Sequence, residues 1–351
     1  IYCMIKFDLY SMNILFICGS LNQTKMMHQI SLYLDDKYDC YFTPYYADGF
    51  EGFFVKLGLL DFTVLGGTPK KNTEIYLAQN DLKIDYKGIN NSYDLVVTCS
   101  DLIIQKNIRK KRIVLVQEGM TDKENIFFYL SKYLKLPRYL ASTATTGLSD
   151  AYETFCVASE GYKELFVRKG CKEEKIRVTG IPNFDNCKIY KKNSFSYKNF
   201  VLVCTSDARE TLKFENRKKF ILNALKIAGK SQLIFKLHPN EKFERAIKEI
   251  KQYAPGSLVF IAGNTNEMIA NCKILITKYS SVVYVGLALG KKVYSDFDVN
   301  TLKLMTPLQN RGASARNIAT VCEYKLNEAI NYNNQILKKF KPTKKQIIEY
   351  S

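Results

Sequence analysis

The chain has 351 residues, 46% hydrophobic and 25% charged, an ordinary globular composition long enough for two domains of roughly 150 residues each. No apolar run approaches the ~18 residues a membrane span needs, and no basic start leads into an apolar core with a small-residue cleavage site, so the chain is expected in the cytosol. Its 52 Lys and Arg against 34 Asp and Glu leave a formal charge of +18, which attracts phosphate on nucleotides, nucleic acid or anionic lipid without choosing among them.

Residues 1–11, IYCMIKFDLYS, read as an upstream extension, because Met12 opens MNILFICGS as a first strand. Further strands are expected at 38–44, 62–67 (FTVLGG), 93–100, 112–119 and 153–159, alternating with helical periodicity. A helix, EGYKELFVRKG, then leads to the strand and turn of VTGIPNFDN (178–186). After the lysine-rich stretch KKNSFSYKN (191–199) the pattern restarts, with strands at 200–206, 232–239, 258–263, 272–280 and 291–297. Near-continuous apolar strands separated by helices predict an α/β fold of two Rossmann-like, doubly wound parallel-sheet domains with a cleft at their strand ends. The expected limits are 12–185, 186–322 and a C-terminal helix over 323–351, with the linker near 183–199.

The ten cysteines are scattered and form no CxxC pair, so they read as reduced core thiols, including Cys18, Cys99, Cys156, Cys204 and Cys272. His28 and His238 are far apart and no His or Cys clusters with them, so no metal site is expected. The basic residues recur along the chain without a nucleic-acid signature, and nucleic acid is not expected as a partner.

Candidate site residues fall where strands end. Gly19 and Ser20 follow the first strand, where a glycine permits close backbone approach at a helix start; the GxGxxG spacing of dinucleotide binding is absent. Asp101 and Glu118 end two further strands, where a carboxylate either caps a helix or acts as a base. Asn183 lies in a rigid turn at the domain junction. Ser206, Arg209 and Lys213 open the second half, either as phosphate ligands or as a solvated charged helix. In KLHPNE, Pro239 stops a strand, Lys236 alternates with His238, and the histidine can contact phosphate or move a proton. Ser280 and Ser281 stand at a helix N-cap, a position that caps the helix or holds phosphate. His28, on a helix with Met27 and Ile30, reads as structural.

Taken in order, VTGIPNFDN, KLHPNE and ITKYSSVVYVGLALGKKV resemble the GT-B glycosyltransferase superfamily across the second half of the chain. The similarity is to CDP-glycerol glycerophosphotransferases and capsule or lipopolysaccharide glycosyltransferases, and also to UDP-N-acetylglucosamine 2-epimerase. Certain bacterial sialyltransferases share an acidic residue before glycine, then His-Pro, then paired serines, matched here by Glu118-Gly119, His238-Pro239 and Ser280-Ser281. The resemblance implies a nucleotide-sugar or polyol-phosphate donor and no metal or other cofactor. It makes Glu118 the acceptor's base, His238 a contact to the donor phosphate, and the serines a phosphate cradle. The implied acceptor is a surface-glycan or lipid-linked precursor, which a basic surface would help the enzyme meet at an anionic inner leaflet. Where the epimerases carry a glutamate after their Ser-Gly-Gly turn, this chain has Val282, Val283 and Tyr284, and VTCSDLI replaces their His-Gly-Asp-Thr. An epimerase is therefore the second expectation, and a nucleotide-binding protein without chemistry the third.

Overall fold

A computed structural model describes residues 12–58, 60, 63–210 and 214–339. The expected extension at 1–11, Lys213 and the chain beyond 339 lie outside the described residues. The chain divides into two compact units, one containing 12–156, 167–179 and 313–339, the other 157–166 and 180–312.

The first unit is built on β1 (Asn13–Cys18), α1 (Leu21–Ser31), β2 (Asp39–Pro44), α2 (Gly49–Lys56), α3 (Gly67–Gln79), β3 (Leu95–Thr98), β4 (Arg112–Val116), α4 (Ile126–Leu134), β5 (Thr154–Val157) and β6 (Ile176–Val178), while α5 (Glu160–Lys169) belongs to the second unit up to Phe166. Its six strands run in the order β2-β1-β3-β4-β5-β6, with β1 to β5 paired in parallel. Every residue of β3 and of β5 is buried, as expected of strands covered on both faces. Each fully buried Phe, Leu or Val contributes about 1.5–3 kcal/mol, and Phe16, Phe42 and Phe155 anchor this core. Because β1 lies between β2 and β3, the chain reverses direction across the sheet there, and a crevice opens at the carboxyl ends of β1 and β3.

The second unit follows with β7 (Val201–Cys204), α6 (Arg217–Ala228), β8 (Leu233–Lys236), α7 (Phe243–Tyr253), β9 (Leu258–Phe260), α8 (Thr265–Asn271), β10 (Ile274–Ile276), α9 (Val282–Ala288), β11 (Lys292–Tyr294) and α10 (Val299–Met305). Its parallel sheet has the order β11-β10-β7-β8-β9, so the corresponding crevice lies between β7 and β10. Val201, Val203, Phe235 and Ile276 meet Ile221, Ala224, Ala246 and Ile250 of α6 and α7 in its core.

Four expectations change. The described part of the strand expected over 62–67 is not a strand: Thr63 to Gly66 make a turn, and Gly67, at φ +54°, opens α3. Paired glycines followed by Pro69 in the first helical turn favour a helix start over a ladder. The division between units falls at 179/180 rather than after 185. The expected linker is folded, because Cys187–Lys191 is a 3-10 turn packed against α8 and α9, with the Cys187 N–H donated to Gln309 Oε1 at 3.0 Å. Finally, α11 (Ser314–Lys339) starts before residue 323 and belongs to the first unit, packing on α1 and β3. Lys37 pairs with Glu323 at 2.7 Å, and Arg112 donates to the Lys325 carbonyl at 2.8 Å.

All nine described cysteines are free and buried, and burial pushes the thiols of Cys156, Cys204 and Cys272 up to about 12. His28 sits on α1 with Nδ1 3.1 Å from the Tyr76 hydroxyl and its ring edge-on to Phe42. Partial burial lowers its proton affinity. No helix among the described residues is long and apolar enough to cross a membrane.

Candidate functional site

In the first unit, the β1 crevice holds a built carboxylate. Ser20 caps α1 in a capping box: its hydroxyl accepts the Gln23 N–H at 3.3 Å, and Gln23 Oε1 accepts the Ser20 N–H at 3.3 Å. The remaining donors of both side chains point at Glu118, beyond the end of β4. Ser20 Oγ donates to Glu118 Oε1 at 3.0 Å and Gln23 Nε2 to Oε2 at 2.5 Å. Gly19 makes room for this, since a Cβ there would lie 1.8 Å from Gln23 Oε1. Thr73 on α3 fixes the loop by donating to the Gly19 carbonyl at 2.9 Å. The structure thus brings Gly19, Ser20 and Glu118 together and adds Gln23, which the sequence reading did not single out.

Asp101 has a different task. It is 1% exposed, and its two oxygens accept the backbone N–H groups of Gly147 and Ser149, each at 3.0 Å. A carboxylate consumed by backbone donors in the interior ties a loop and is not placed to act as a base, which corrects its candidacy.

In the second unit, the tip of β8 carries His238. Its backbone N–H is shared between Thr205 Oγ1 at 3.0 Å and Glu241 Oε2 at 3.1 Å, and Thr205 Oγ1 also bonds Glu241 directly. Glu241 is held in turn by Arg217, whose NH2 lies 2.5 Å from Glu241 Oε1 and whose Nε lies 2.5 Å from Glu215 Oε1. All three of these charged side chains are almost completely buried. Removing one partner of such a buried network leaves an uncompensated charge, and through Glu241 the network holds the backbone N–H of the histidine.

The imidazole itself is 35% exposed. Nδ1 accepts the Asn240 N–H at 3.3 Å and stands 3.7 Å from Asp207 Oδ2. With Nδ1 accepting from Asn240, a neutral ring carries its hydrogen on Nε2, which can then donate to an anion.

Ser280 and Ser281 follow β10. Two strand spacings, about 10 Å, separate the tips of β8 and β10, with the Thr205 to Asp207 turn of β7 between them. Ser281 precedes the first residue of α9 without a side-chain capping bond. Beside them Thr277 Oγ1 is buried and has no hydrogen-bond partner among the described residues. Lys278 lies over the Phe220 ring at 5.5 Å and 3.7 Å from Asp296. With Lys218, Lys219 and Lys226 of α6 it lines an open cavity of about 720 Å³. These lysines were not singled out in sequence, because only the fold brings α6 beside the end of β10.

Three other candidates are committed elsewhere. Lys236 is 6% exposed and donates to the carbonyls of Leu237 and Ile261 at 3.0 and 2.8 Å, and burial lowers its proton affinity. Strand alternation turns it into the protein while the chain turns at His238. Ser206 Oγ donates to Glu215 Oε2 at 3.1 Å, inside the buried network. Arg209 forms a bidentate pair with Glu249 of α7 at 2.7 and 2.9 Å. Each is a correction to a phosphate-binding expectation. Asn183 lies in the 3-10 turn Pro182–Phe184, after Gly180 at φ +75°.

At the start of α9, Val283 and Tyr284 are buried, and the Tyr284 hydroxyl meets that of Tyr162 at 2.6 Å. Burial pushes the Tyr284 hydroxyl up to about 12. Hydrocarbon and a paired phenol therefore occupy this turn, with no carboxylate among residues 282 to 288.

Among solved structures, the S. aureus protein MnaA in complex with UDP is similar at a TM-score of 0.57 and 12% identity, over 90% of this chain and 97% of that one. The UDP-GlcNAc 2-epimerase of Neisseria meningitidis, bound to UDP-GlcNAc, matches at 0.53 and 12%, over 89% of this chain and 100% of its own. That of Methanocaldococcus jannaschii, with UDP-GlcNAc and UDP, matches at 0.53 and 15%, over 89% and 100%. The chain has the GT-B fold. No protein-family model and no curated protein matches it.

Proposed function

We propose that this GT-B chain is a transferase that takes a sugar or polyol phosphate from a nucleotide-activated donor and passes it to a hydroxyl of a surface-glycan or lipid-linked acceptor. The observation that carries the reading is His238: a half-exposed imidazole at a strand tip, backed by a buried ion network, whose Nδ1 accepts the Asn240 N–H and so leaves the hydrogen of a neutral ring to Nε2. In the reaction the acceptor hydroxyl gives its proton to Glu118, its oxygen attacks the donor, and the bond to the nucleotide phosphate breaks. The departing phosphate carries new negative charge, which Nε2–H and the Lys278 side of the β10 tip stabilise. Thr277, Ser280 and Ser281 supply hydroxyls beside the β7–β10 crevice, the position at which open α/β sheets bind ligands.

The second reading is a nucleotide-sugar epimerase, favoured by neighbours of the same fold whose structures contain UDP or UDP-GlcNAc. Against it stands the carboxylate-free start of α9. The two separate in one assay. Purified protein is incubated with UDP- and CDP-linked donors, alone and with lipid-linked acceptors. The transferase reading expects product only with an acceptor and a loss of about 10²-fold or more in Glu118→Gln and in His238→Ala. Turnover unchanged in both variants refutes these roles. A new sugar epimer formed from donor alone, seen by NMR, establishes the second reading.

A further inference from the structure

The stretch Ile126 to Leu140 exposes more large apolar side chains than any other of its length among the described residues. On α4, Ile126 and Tyr133 are 69% exposed and Leu134 67%, joined by Phe127, and beyond the helix by Leu136 and Leu140. Only Phe128 and Ser131 of α4 are buried. Exposed apolar side chains grouped in this way and rimmed by polar groups mark an interaction site.

The composition of the face selects the partner. Lys123, Lys132, Lys135 and Arg138 punctuate residues 123–140 against one acid, Glu124. Protein–protein interface centres are depleted in lysine, whereas lysine and arginine stems lie along apolar surface and keep their charge at a polar boundary. Tyr129 and Tyr139, also exposed, have the apolar body and polar tip found at the headgroup level of bilayers. At the foot of the face lies a cavity of about 330 Å³ carrying Lys106, Arg109, Lys135 and Arg138 beside Asp48 and Glu51. In this chain of formal charge +18, apolar side chains interleaved with cations are complementary to one occupant, a membrane whose headgroups are anionic.

We infer that α4 and the segment to Leu140 dock the protein on an anionic lipid bilayer. This stands independently of the chemistry assigned to His238. The face inserts Tyr133, Leu134 and Leu136 at the acyl boundary while Lys106, Arg109, Lys132 and Lys135 meet lipid phosphate.

The chain contains no tryptophan, so Tyr133→Trp gives a single reporter at the centre of the face. With vesicles of equal phosphatidylglycerol and phosphatidylcholine at 150 mM salt, its emission is expected to shift to the blue, and phosphatidylcholine alone is expected to bind about tenfold more weakly. In co-sedimentation, Tyr133→Ser/Leu134→Ser is expected to lose at least tenfold in vesicle binding, with its thermal unfolding unchanged. Lys106→Gln/Arg109→Gln/Lys135→Gln is expected to lose the preference for phosphatidylglycerol. No blue shift with either vesicle, or sedimentation unaffected by both variants, overturns the inference. So does a solution dimer that Tyr133→Ser/Leu134→Ser converts to monomer while neither protein binds vesicles, since the face would then belong to a second copy.

Discussion

The carboxylate of Glu241 accepts the backbone N–H of His238 at 3.1 Å, so the place of the histidine is set by a buried side chain three residues downstream. Glu241 in turn depends on Arg217, and Arg217 on Glu215 as well. Breaking one member of a buried ion network leaves an uncompensated charge, at about 3–5 kcal/mol. Glu241→Ala is therefore predicted to cost that much in urea unfolding, a large part of the 5–15 kcal/mol that holds a typical domain. A loss under about 1 kcal/mol would mean that the network is not formed as described.

Gly19 and Gln23 give a second prediction. Gly19→Ala forces Gln23 Oε1 away from the Ser20 N–H and breaks the capping box. Since Gln23 Nε2 then also leaves Glu118, the acceptor step should slow while nucleotide affinity is unchanged. Equal losses in both would contradict the assignment of Glu118.

Acid stability tests the Arg209–Glu249 pair. Burial alone would raise the Glu249 carboxyl, but the bidentate guanidinium of Arg209 overrides it and holds the group below the ordinary glutamate value of 4.5. A carboxyl lowered in the folded state stabilises the fold above the unfolded value and loses that contribution as pH falls through the folded one. Arg209→Met should therefore destabilise the protein at pH 7 by about 1–2 kcal/mol. The variant should show a shallower loss than the native chain below pH 4.5, followed by denaturation at stepped pH. Parallel curves for the two proteins would remove the pair from the account.

The strands were legible because burial on both faces writes a near-continuous apolar run, as in LVVT of β3 and VLVC of β7. FTVLGG has the same apolar character, yet Gly66 and Gly67 turn it into a helix start, which periodicity over six residues does not distinguish. Strand ends were equally legible, and with them His238, Glu118 and the serines. What each end residue bonds to was not. Lys236, Ser206 and Asp101 sit where ligand contacts belong, but their partners (Ile261, Glu215 and the backbone of Gly147) are set by packing between elements. Glu241 stood within KLHPNE, while its anchor Arg217 comes from α6, a separation that only the fold closes.

The central claim is that Nε2–H of His238 donates to a nucleotide phosphate at the β7–β10 edge. Calorimetric titration of UDP, CDP and the corresponding nucleosides into native protein and His238→Ala tests it most directly. The account predicts that the native chain binds a nucleoside diphosphate, and that the variant loses about tenfold or more for it with nucleoside affinity unchanged, as for a charge-assisted hydrogen bond of about 1.5–3 kcal/mol. Equal diphosphate affinities for the two proteins, or no diphosphate binding by the native chain, would contradict it.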